Sequence, residues 1–554
     1  MDRRDFLTAF KEKKNKPSLL QSSRTLSGIA PYTGTWATDE IIHLLKRTMF
    51  GAKKADVDFF SSMTMSQAVD YLLNVTVAQT TPPPPIKAYN ALVDTIVPVG
   101  QTWVYTNPTE SGVMDERRTS LKSWWMGQMV NQERNILEKL TLMWHNHFVI
   151  EMEMVGNAIH DYQYNETLRK NALGNLKQFV KEITLNTGML RYLNNYLNTK
   201  TAPDENYARE LQELFTVGKG ADNASPPYTE DDVKQAAKVL TGWTIDSTNN
   251  VSLFKSTRHD TTNKQFSAFY NNTIIAGRLL DDGALEVDDL LTMIFSKEDV
   301  SLNICREIYR WFVYYDIDAA TEQNVIAPLA QIFRANNNEI KPVLAALFKS
   351  EHFFDVVNRG CLIKSPVDIV VALCREFNVV FPDVANFDSN YDMWEWLNLN
   401  CTNLQQQLGD PPNVAGWPAY YQAPQYHQIW INSDTLPKRN IFSDLMITNG
   451  YQKNGIKIVI DVTAFAATMT NPGNPNTLIE DAVTYLLRIP LTQESKDQLK
   501  TNILLDGQTT DGYWTTAWNT FVGTPTNTAN TNIVKTKLKN LFQYLLRLPE
   551  YQLA

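Results

Sequence analysis

The chain has 554 residues, 43% of them hydrophobic, and carries 51 basic against 60 acidic side chains, which gives a formal net charge of −9. This length exceeds what one hydrophobic core usually serves, so two or three structural units are expected. The acidic balance, without a long basic run, argues against a general nucleic-acid-binding surface. No apolar run approaches the roughly 20 residues of a membrane-spanning helix, so no transmembrane segment is predicted.

The cysteine pattern and the common catalytic motifs exclude several further classes. Cys305, Cys361, Cys374 and Cys401 are widely spaced and form no CxxC pair, which argues against a zinc ribbon and a disulfide framework. The sequence contains no GxSxG elbow, no P-loop and no GxGxxG motif. Serine-hydrolase, nucleotide-binding and dinucleotide-binding functions are therefore disfavoured.

Residues 1–37 are predicted to be a basic, disordered leader. The run from Arg3 to Leu7 resembles the twin-arginine export signature, R-R-x-F-L, but residues 11–16 are basic and polar where an apolar segment should follow. One interpretation is a degenerate export signal, which places the protein in the periplasm or outside the cell. The other is a basic leader without export function, which leaves the protein in the cytoplasm.

The chain turns helical at residue 38. Thr38 opens one helix, a second is predicted over about 55–73, and the prolines at 82–85 form a stiff connector. Residues before this connector are therefore predicted to form an N-terminal helical subdomain or arm. A strongly helical region follows over about 115–243, in which Thr229 and Asp232 form a capping-box variant that begins one helix.

The rest of the chain alternates between helical and loop-like stretches. Residues 244–277 form a long polar excursion that should be functional or mobile, and helical patterning resumes over about 285–377. Residues 401–434 are loop-like, 456–460 could form one short strand, and helices resume at 478. The fold is therefore predicted to be mainly α: a multi-helical orthogonal bundle with long functional loops over 38–445 and a smaller helical C-terminal unit over 446–554.

The helix predicted over 205–216 has one strongly polar face. Asn206, Arg209, Glu210 and Glu213 fall within an arc of about 100° on it. Two carboxylates at i and i+3 suit a metal or acid/base site, so Glu210, Glu213 and Arg209 are candidate catalytic residues and Asn206 a candidate ligand contact. The alternative is a solvated surface on which Arg209 pairs with Glu213.

His145 and His147 end a long apolar helix. If the helix continues through them, their side chains point about 200° apart and cannot bind one metal together. If the helix has ended, an extended H-x-H places both on one side, as many metal sites require. The alternative is a buried, hydrogen-bonded histidine beside Trp144.

His259 and Asp260 are a third possible ligand pair, on the polar excursion. His145, His147, Glu210, Glu213 and His259 would together suit zinc, iron or manganese, among which the sequence cannot choose.

The stretch from 409 to 433 is rich in proline, glycine and tryptophan. Its rigid loops and aromatic faces suit a sugar or peptide ligand, with Asn413, Trp417, Trp430 and Asn432 as candidate contacts. The alternative, which the pattern favours, is a loop that plugs a helical core with Trp417.

Taken in order, many segments resemble the bacterial domain of unknown function 1800 family. The resemblance implies a predominantly helical body, frequent export, frequent pairing with a phosphatase/sulfatase-like protein of unknown function, and a shared site at the five candidate metal ligands. This chain departs from the pattern at Asn171, where similar sequences often have histidine, and at Ala419 and Tyr420, which replace glycines. The matching segments are residues 42–51, 144–148, 172–175, 189–193, 205–216, 228–243, 259–260, 364–367, 411–418 and 430–433.

Three functional hypotheses follow. The first is an exported, metal-dependent hydrolase or oxidase in which His145 or His147, with Glu210, Glu213 and His259, surrounds a divalent ion. The second is a non-catalytic envelope scaffold or partner-binding protein whose polar helix face forms buried ion pairs. The third is a carbohydrate-binding protein that uses Trp417 and Trp430.

Overall fold

The structure, a computed structural model, describes residues 24–219, 226–524 and 526–554. Within these ranges the chain is mainly α-helical, as predicted, and its described sheets are three two-stranded antiparallel hairpins. No helix in the described ranges is both long enough and apolar enough to cross a membrane. The Arg3-Arg4 motif of the leader lies outside the described residues.

The first half of the chain consists of short helices followed by two hairpins. The helices are α1 (Thr38–Thr48), α2 (Lys54–Ser61), α3 (Met65–Leu72), α4 (Val77–Thr80), α5 (Val113–Val130), α6 (Leu137–His147), α7 (Met152–Val155), α8 (Ala158–Asn171), α9 (Leu176–Thr184), α10 (Thr187–Tyr192), α11 (Asn206–Glu213) and α12 (Glu230–Val239). The strands are β1 (Trp243–Asp246), β2 (Val251–Phe254), β3 (Lys264–Gln265) and β4 (Ile274–Ile275).

The second half returns to helices, with one further hairpin. The helices are α13 (Glu286–Phe295), α14 (Glu298–Phe312), α15 (Ala319–Thr321), α16 (Ala327–Ala335), α17 (Ile340–Phe348), α18 (Glu351–Phe354), α19 (Pro366–Glu376), α20 (Phe387–Asn403), α21 (Thr435–Thr448), α22 (Val462–Ala467), α23 (Pro475–Leu486), α24 (Gln493–Leu499), α25 (Gly512–Gly523) and α26 (Thr528–Arg547). The hairpin pairs β5 (Tyr451–Lys453) with β6 (Ile456–Ile458).

Two stretches differ from the prediction in their local structure. The single helix predicted over 55–73 is split into α2 and α3, because Thr64 and Gln67 form a capping box that starts a new helix. Residues 244–277 are not an irregular excursion but hold the hairpins β1–β2 and β3–β4. Asn250 and Asn271 adopt positive φ at the turns, so the asparagines that indicated a loop are the residues that close these hairpins.

The proline connector does not separate an arm from the main body. The Pro83 carbonyl accepts a hydrogen bond from Trp124 Nε1 at 2.8 Å, and His43 Nε2 of α1 donates to the Phe353 carbonyl at 2.9 Å. The division at residue 446 stays a prediction. Helix α21 runs through it, and Lys46 Nζ donates to the Leu486 carbonyl at 3.0 Å.

A buried ion pair fixes α5 to the segment after the connector. Arg117 and Asp94 form a two-pronged pair, Nε and Nη2 each lying 2.7 Å from a carboxylate oxygen, and both side chains are fully buried. Arg117 Nη1 also donates to the Thr106 carbonyl at 2.5 Å. Hydrogen bonds to charged partners compensate the desolvation of a guanidinium, so this pair depends on both of its members.

We expect Asp94→Asn to lower the free energy of unfolding by about 3–5 kcal/mol, because it leaves a buried guanidinium without a countercharge. Urea unfolding at neutral pH measures this. The matched control is Asp115→Asn, which removes the exposed partner of Arg118 and should cost less than about 1 kcal/mol. Equal losses of unfolding free energy in the two variants would contradict the stabilising role of the Arg117–Asp94 pair.

Candidate functional site

Helix α6 continues through both of its histidines. It spans Leu137–His147 and ends at Phe148, whose N–H donates to the Trp144 carbonyl at 2.7 Å. Of the two geometries open to the sequence, the helical one is therefore realised. His145 and His147 project about 200° apart and do not share a ligand.

His145 belongs to the core. Its Nδ1 lies 3.0 Å from the Tyr164 hydroxyl, which itself donates to the Phe148 carbonyl at 2.6 Å, and the Trp417 ring packs edge-on against it at 5.6 Å. Burial lowers the pKa of His145 to about 3, so the imidazole is neutral. This is the buried, hydrogen-bonded histidine of the alternative interpretation.

His147 lies on the opposite side of α6, against the chain that follows α11. Its Nε2 lies 3.3 Å from the Phe215 carbonyl, an atom that can only accept. The proton is therefore on Nε2, and Nδ1 carries the lone pair. Burial lowers the pKa of His147 below its usual range, which favours the neutral form.

The buried face of α11 holds the predicted polar stripe in place. Tyr207 donates to Thr184 Oγ1 at 2.8 Å, and Gln212 Oε1 accepts from the Tyr270 hydroxyl at 2.8 Å. With Ala208 and Leu211 also buried, the opposite face turns outward. Asn206 lies at the exposed start of the helix, where its amide contacts the Leu193 carbonyl at 3.3 Å.

Arg209 does not neutralise the carboxylates at 210 and 213. Its guanidinium pairs with both oxygens of Glu230, at 2.8 and 2.7 Å, and more weakly with Glu205. Glu213 pairs instead with Lys219 at 2.5 Å. The Arg209–Glu213 pair of the alternative interpretation is thus replaced by a pair with Glu230 of α12.

Glu210 is half-buried and its carboxylate has no hydrogen-bond partner among the described residues. Burial, with the neighbouring charge of Glu213, raises its pKa to about 7. A carboxyl poised near neutrality is a common property of functional sites.

His259 and Asp260 lie away from the other candidates. His259 Nδ1 donates to the Thr241 carbonyl at 2.9 Å, and its Nε2 lies 3.1 Å from Glu286 Oε1. Asp260 accepts from the N–H of Thr262 at 2.8 Å and so closes a local turn. These contacts stabilise the β-rich segment.

The predicted metal cluster does not form. In the described ranges no group of three or more histidine, cysteine, aspartate or glutamate side chains is placed to hold a metal ion. The physical reasons are specific: α6 separates the two histidines, His259 is committed to Glu286, and Glu213 to Lys219.

The tryptophan-rich loop is a plug, as the sequence pattern favoured. Trp417 and Trp430 are 2% and 4% exposed, so neither offers a face to a sugar. Asn413 Oδ1 accepts from the Ala415 N–H, and Asn432 Oδ1 from the Thr435 N–H, each at 2.9 Å. Both asparagines hold turns, and Asn413 also donates to the Tyr421 hydroxyl at 2.8 Å.

An open polar cleft of about 330 Å³ lies where three of the predicted segments meet. The end of α6, the end of α11 and the loop after Pro411 supply three of its walls, and α14 supplies the fourth. Its polar lining is formed by Asn146, His147, Glu213, Lys219, Asn303, Arg306, Glu307, Arg310, Tyr420, Tyr421 and Tyr426.

The sequence analysis missed the contribution of α14. Asn303, Arg306, Glu307 and Arg310 recur at i, i+3, i+4 and i+7, the same signal that singled out α11. Asn303 Nδ2 ties this stripe to the Thr216 carbonyl at 3.0 Å. Tyr420, Tyr421 and Tyr426 could not be assigned from spacing, because the loop that carries them has no period.

The charges of the cleft are mostly paired. Glu307 accepts from Arg310 at 2.8 Å, and Arg306 Nε donates to Glu322 at 3.0 Å. Lys219 and Glu213 form the third pair. The lining therefore offers both signs of charge, tyrosine hydroxyls and amides, a surface suited to a polar ligand that carries an acidic group.

Comparison with known families assigns the chain. The model of the family described as "Protein of unknown function (DUF1800)" matches residues 43–553, nearly the whole chain. The chain belongs to this family. No curated protein and no solved structure matches it. Family membership confirms the resemblance seen in the sequence, and the family's own description assigns no activity.

We expect Glu210 to make the protein less stable as pH rises from about 5 to 8. Its pKa is about 7 when folded against an ordinary 4.5, so the folded state binds more protons in this window and loses stability as that proton leaves. Glu210→Gln should remove the loss and raise the free energy of unfolding at pH 8 by about 1 kcal/mol, after allowance for solvent screening.

Urea unfolding at pH 5.5 and pH 8 measures this difference. Glu205→Gln, one turn earlier on the exposed side, is the matched control and should keep the wild-type pH dependence. The same pH dependence in Glu210→Gln and wild type would show that Glu210 ionises normally.

Proposed function

We propose that the protein is a hydrolytic enzyme that binds a polar substrate carrying an acidic group in the cleft, with His147 as general base. The observation that carries the proposal is the state of His147 on the cleft wall. Its Nε2–H is engaged by the Phe215 carbonyl and its pKa is lowered, which leaves a neutral imidazole with a free lone pair on Nδ1. An oriented, neutral imidazole is the commonest general base of enzymes.

Glu213 is the second candidate catalytic group, because it lines the cleft beside Lys219. Arg306 and Arg310 would attract the acidic group of the substrate and stabilise negative charge that develops during attack by water. Glu210 does not line the cleft, so it has no catalytic role in this proposal. Arg209 faces Glu230 and has no catalytic role in this proposal.

Metal dependence is not part of the proposal. The donors that the sequence suggested do not converge within the described ranges, and His147 can activate water by accepting its proton directly. The proton would move from water to Nδ1 while the water oxygen forms the new bond to the substrate. The scissile bond of the substrate then breaks, and the His147 imidazolium returns this proton to the leaving group.

A panel of chromogenic esters, phosphate mono- and diesters, sulfate esters and glycosides, together with peptides, tests the proposal. We expect turnover of at least one class and a fall of about 10²–10⁴-fold in kcat/KM for His147→Gln. Because the pKa of His147 is lowered, the rate should hold below pH 6.5, where an ordinary histidine would already be protonated.

The matched control is His160→Gln, which alters another buried, neutral histidine that does not line the cleft. Its kcat/KM should equal that of the wild type, with melting temperatures reported for both variants. Failure of the whole panel, or equal kcat/KM in wild type and His147→Gln, would reject the enzyme proposal.

We also propose that the leader directs export. The support is the Arg3-Arg4-Asp5-Phe6-Leu7 run. Replacing Arg3 and Arg4 together by lysine should move a tagged protein from the periplasm or medium to the cytoplasm, as measured by cell fractionation. The control replaces Lys13 and Lys14 by arginine and should leave export unchanged. A wild-type protein found in the cytoplasm would contradict export.

A further inference from the structure

A second, smaller cavity adjoins the cleft, and its lining is rich in cationic side chains. It measures about 40 Å³, large enough for a small ion or a few waters, and shares Arg310 and Tyr420 with the cleft. Its other charged side chains are Lys46, Arg47, Lys139, Lys364 and Asp368. Five cationic side chains and one carboxylate side chain therefore line it, together with Ala554.

Three of the five cations already have acidic partners. Lys46 pairs with Glu376 at 2.8 Å, Lys139 pairs with Asp368, and Arg310 pairs with Glu307 at 2.8 Å. These pairs account for the only carboxylate side chain in the lining, Asp368.

Arg47 and Lys364 have no acidic partner in the described part of the chain, although each is only 3% exposed. Lys364 Nζ makes no hydrogen bond and lies 3.8 Å from the centre of the Tyr551 ring. Arg47 Nη2 donates to the Asn358 carbonyl, whereas Arg47 Nε and Nη1 have no hydrogen-bond partner among the described residues. Burying a charge without a partner is costly, so an anion bound between these two side chains would stabilise both.

His427 adds a neutral donor to the same wall. Its Nδ1 accepts the Ile363 N–H at 3.0 Å, which places the proton on Nε2. Burial lowers the pKa of His427 to about 4, so it contributes an N–H rather than a charge. The cavity thus offers donors from a buried ammonium, a buried guanidinium and a half-buried imidazole. Among the described residues, Lys364 Nζ and Arg47 Nε and Nη1 make no hydrogen bond.

We propose that this cavity binds a small oxyanion of the size and charge of inorganic phosphate or sulfate, held by Lys364, Arg47 and His427. Three convergent donors of fixed geometry suit the tetrahedral oxygens of such an ion better than they suit chloride. Burial also lowers the pKa of Lys364 to about 7, and an anion beside it would raise that pKa again. The site stands apart from the proposed catalysis, since neither His147 nor Glu213 lines it.

Calorimetry and thermal unfolding of the full chain with inorganic phosphate, sulfate or chloride at constant ionic strength test the site. We expect saturable binding of phosphate or sulfate and a concentration-dependent rise in melting temperature, and no such rise with chloride. An equal effect of chloride, or no saturable binding, would overturn the proposal.

Lys364→Met keeps the length of the side chain and removes its charge, so the anion-free variant should unfold no earlier than the wild type. We expect its Kd for phosphate to rise at least tenfold. Lys438→Met, at an exposed lysine of α21, is the matched control and should bind phosphate like the wild type. Unchanged affinity in Lys364→Met would mean that the anion binds elsewhere and would overturn the proposal.

Glu213→Gln separates this site from the proposed enzyme. We expect it to keep phosphate affinity while it loses turnover, so loss of phosphate binding in this variant would place the anion in the cleft and overturn the assignment to the cavity. Conversely, an inactive protein that binds phosphate through Lys364 would reject the hydrolase proposal and leave the anion site standing.

Discussion

The hydrogen bond from the Trp417 N–H to Asn146 Oδ1, 2.9 Å long, joins two segments that are 271 residues apart, and the geometry of the cleft depends on it. It requires glycine at position 416, which has a φ of +89° and where a Cβ atom would lie 2.4 Å from Asn146 Oδ1. This contact seats the loop on the end of α6. It covers His145 with the Trp417 ring and leaves His147 on the cleft wall, so this contact decides which histidine faces the cleft.

Buried charged side chains in the described ranges are compensated to different degrees. Where a pair only stabilises the fold, as with Arg117 and Asp94, both partners are present and fully hydrogen-bonded. Glu210, Arg47 and Lys364 lack such a partner, but so do other buried charged groups: Lys87 donates only to carbonyls, and neither carboxylate oxygen of Asp161 has a hydrogen-bond partner. Incomplete compensation lowers stability, and sequences that fold well retain it where a ligand or a reaction needs the charge.

The local sequence pattern predicted the helices well. It predicted the burial and contacts of individual side chains poorly. The capping box at Thr229 and the polar stripe of α11 were visible because they depend on residues three or four apart. The geometry of His145 and His147 was undecidable, because it depends on whether a helix ends one residue earlier or later. The exposure of Trp417 could not be derived either, since it depends on a contact with α6 far away in the sequence. The polar stripe of α14 could be predicted from the same periodicity as that of α11. Its contribution to the cleft could not, because that depends on how the two helices pack.

The polar stripes of α11 and α14 face each other across the cleft, and this arrangement is less common than a single polar stripe. A polar stripe on one helix is ordinary, because water solvates it at little cost. Two such stripes that share a cleft are partly desolvated by each other and by the tyrosines of the loop. The Asn303 amide and the positive φ of Gly218, where a Cβ would lie 2.6 Å from Asn303 Oδ1, hold the two helices at this close spacing. A seam filled with apolar side chains would avoid the cost of desolvating these charges, so the polar stripes of the two helices do not maximise stability.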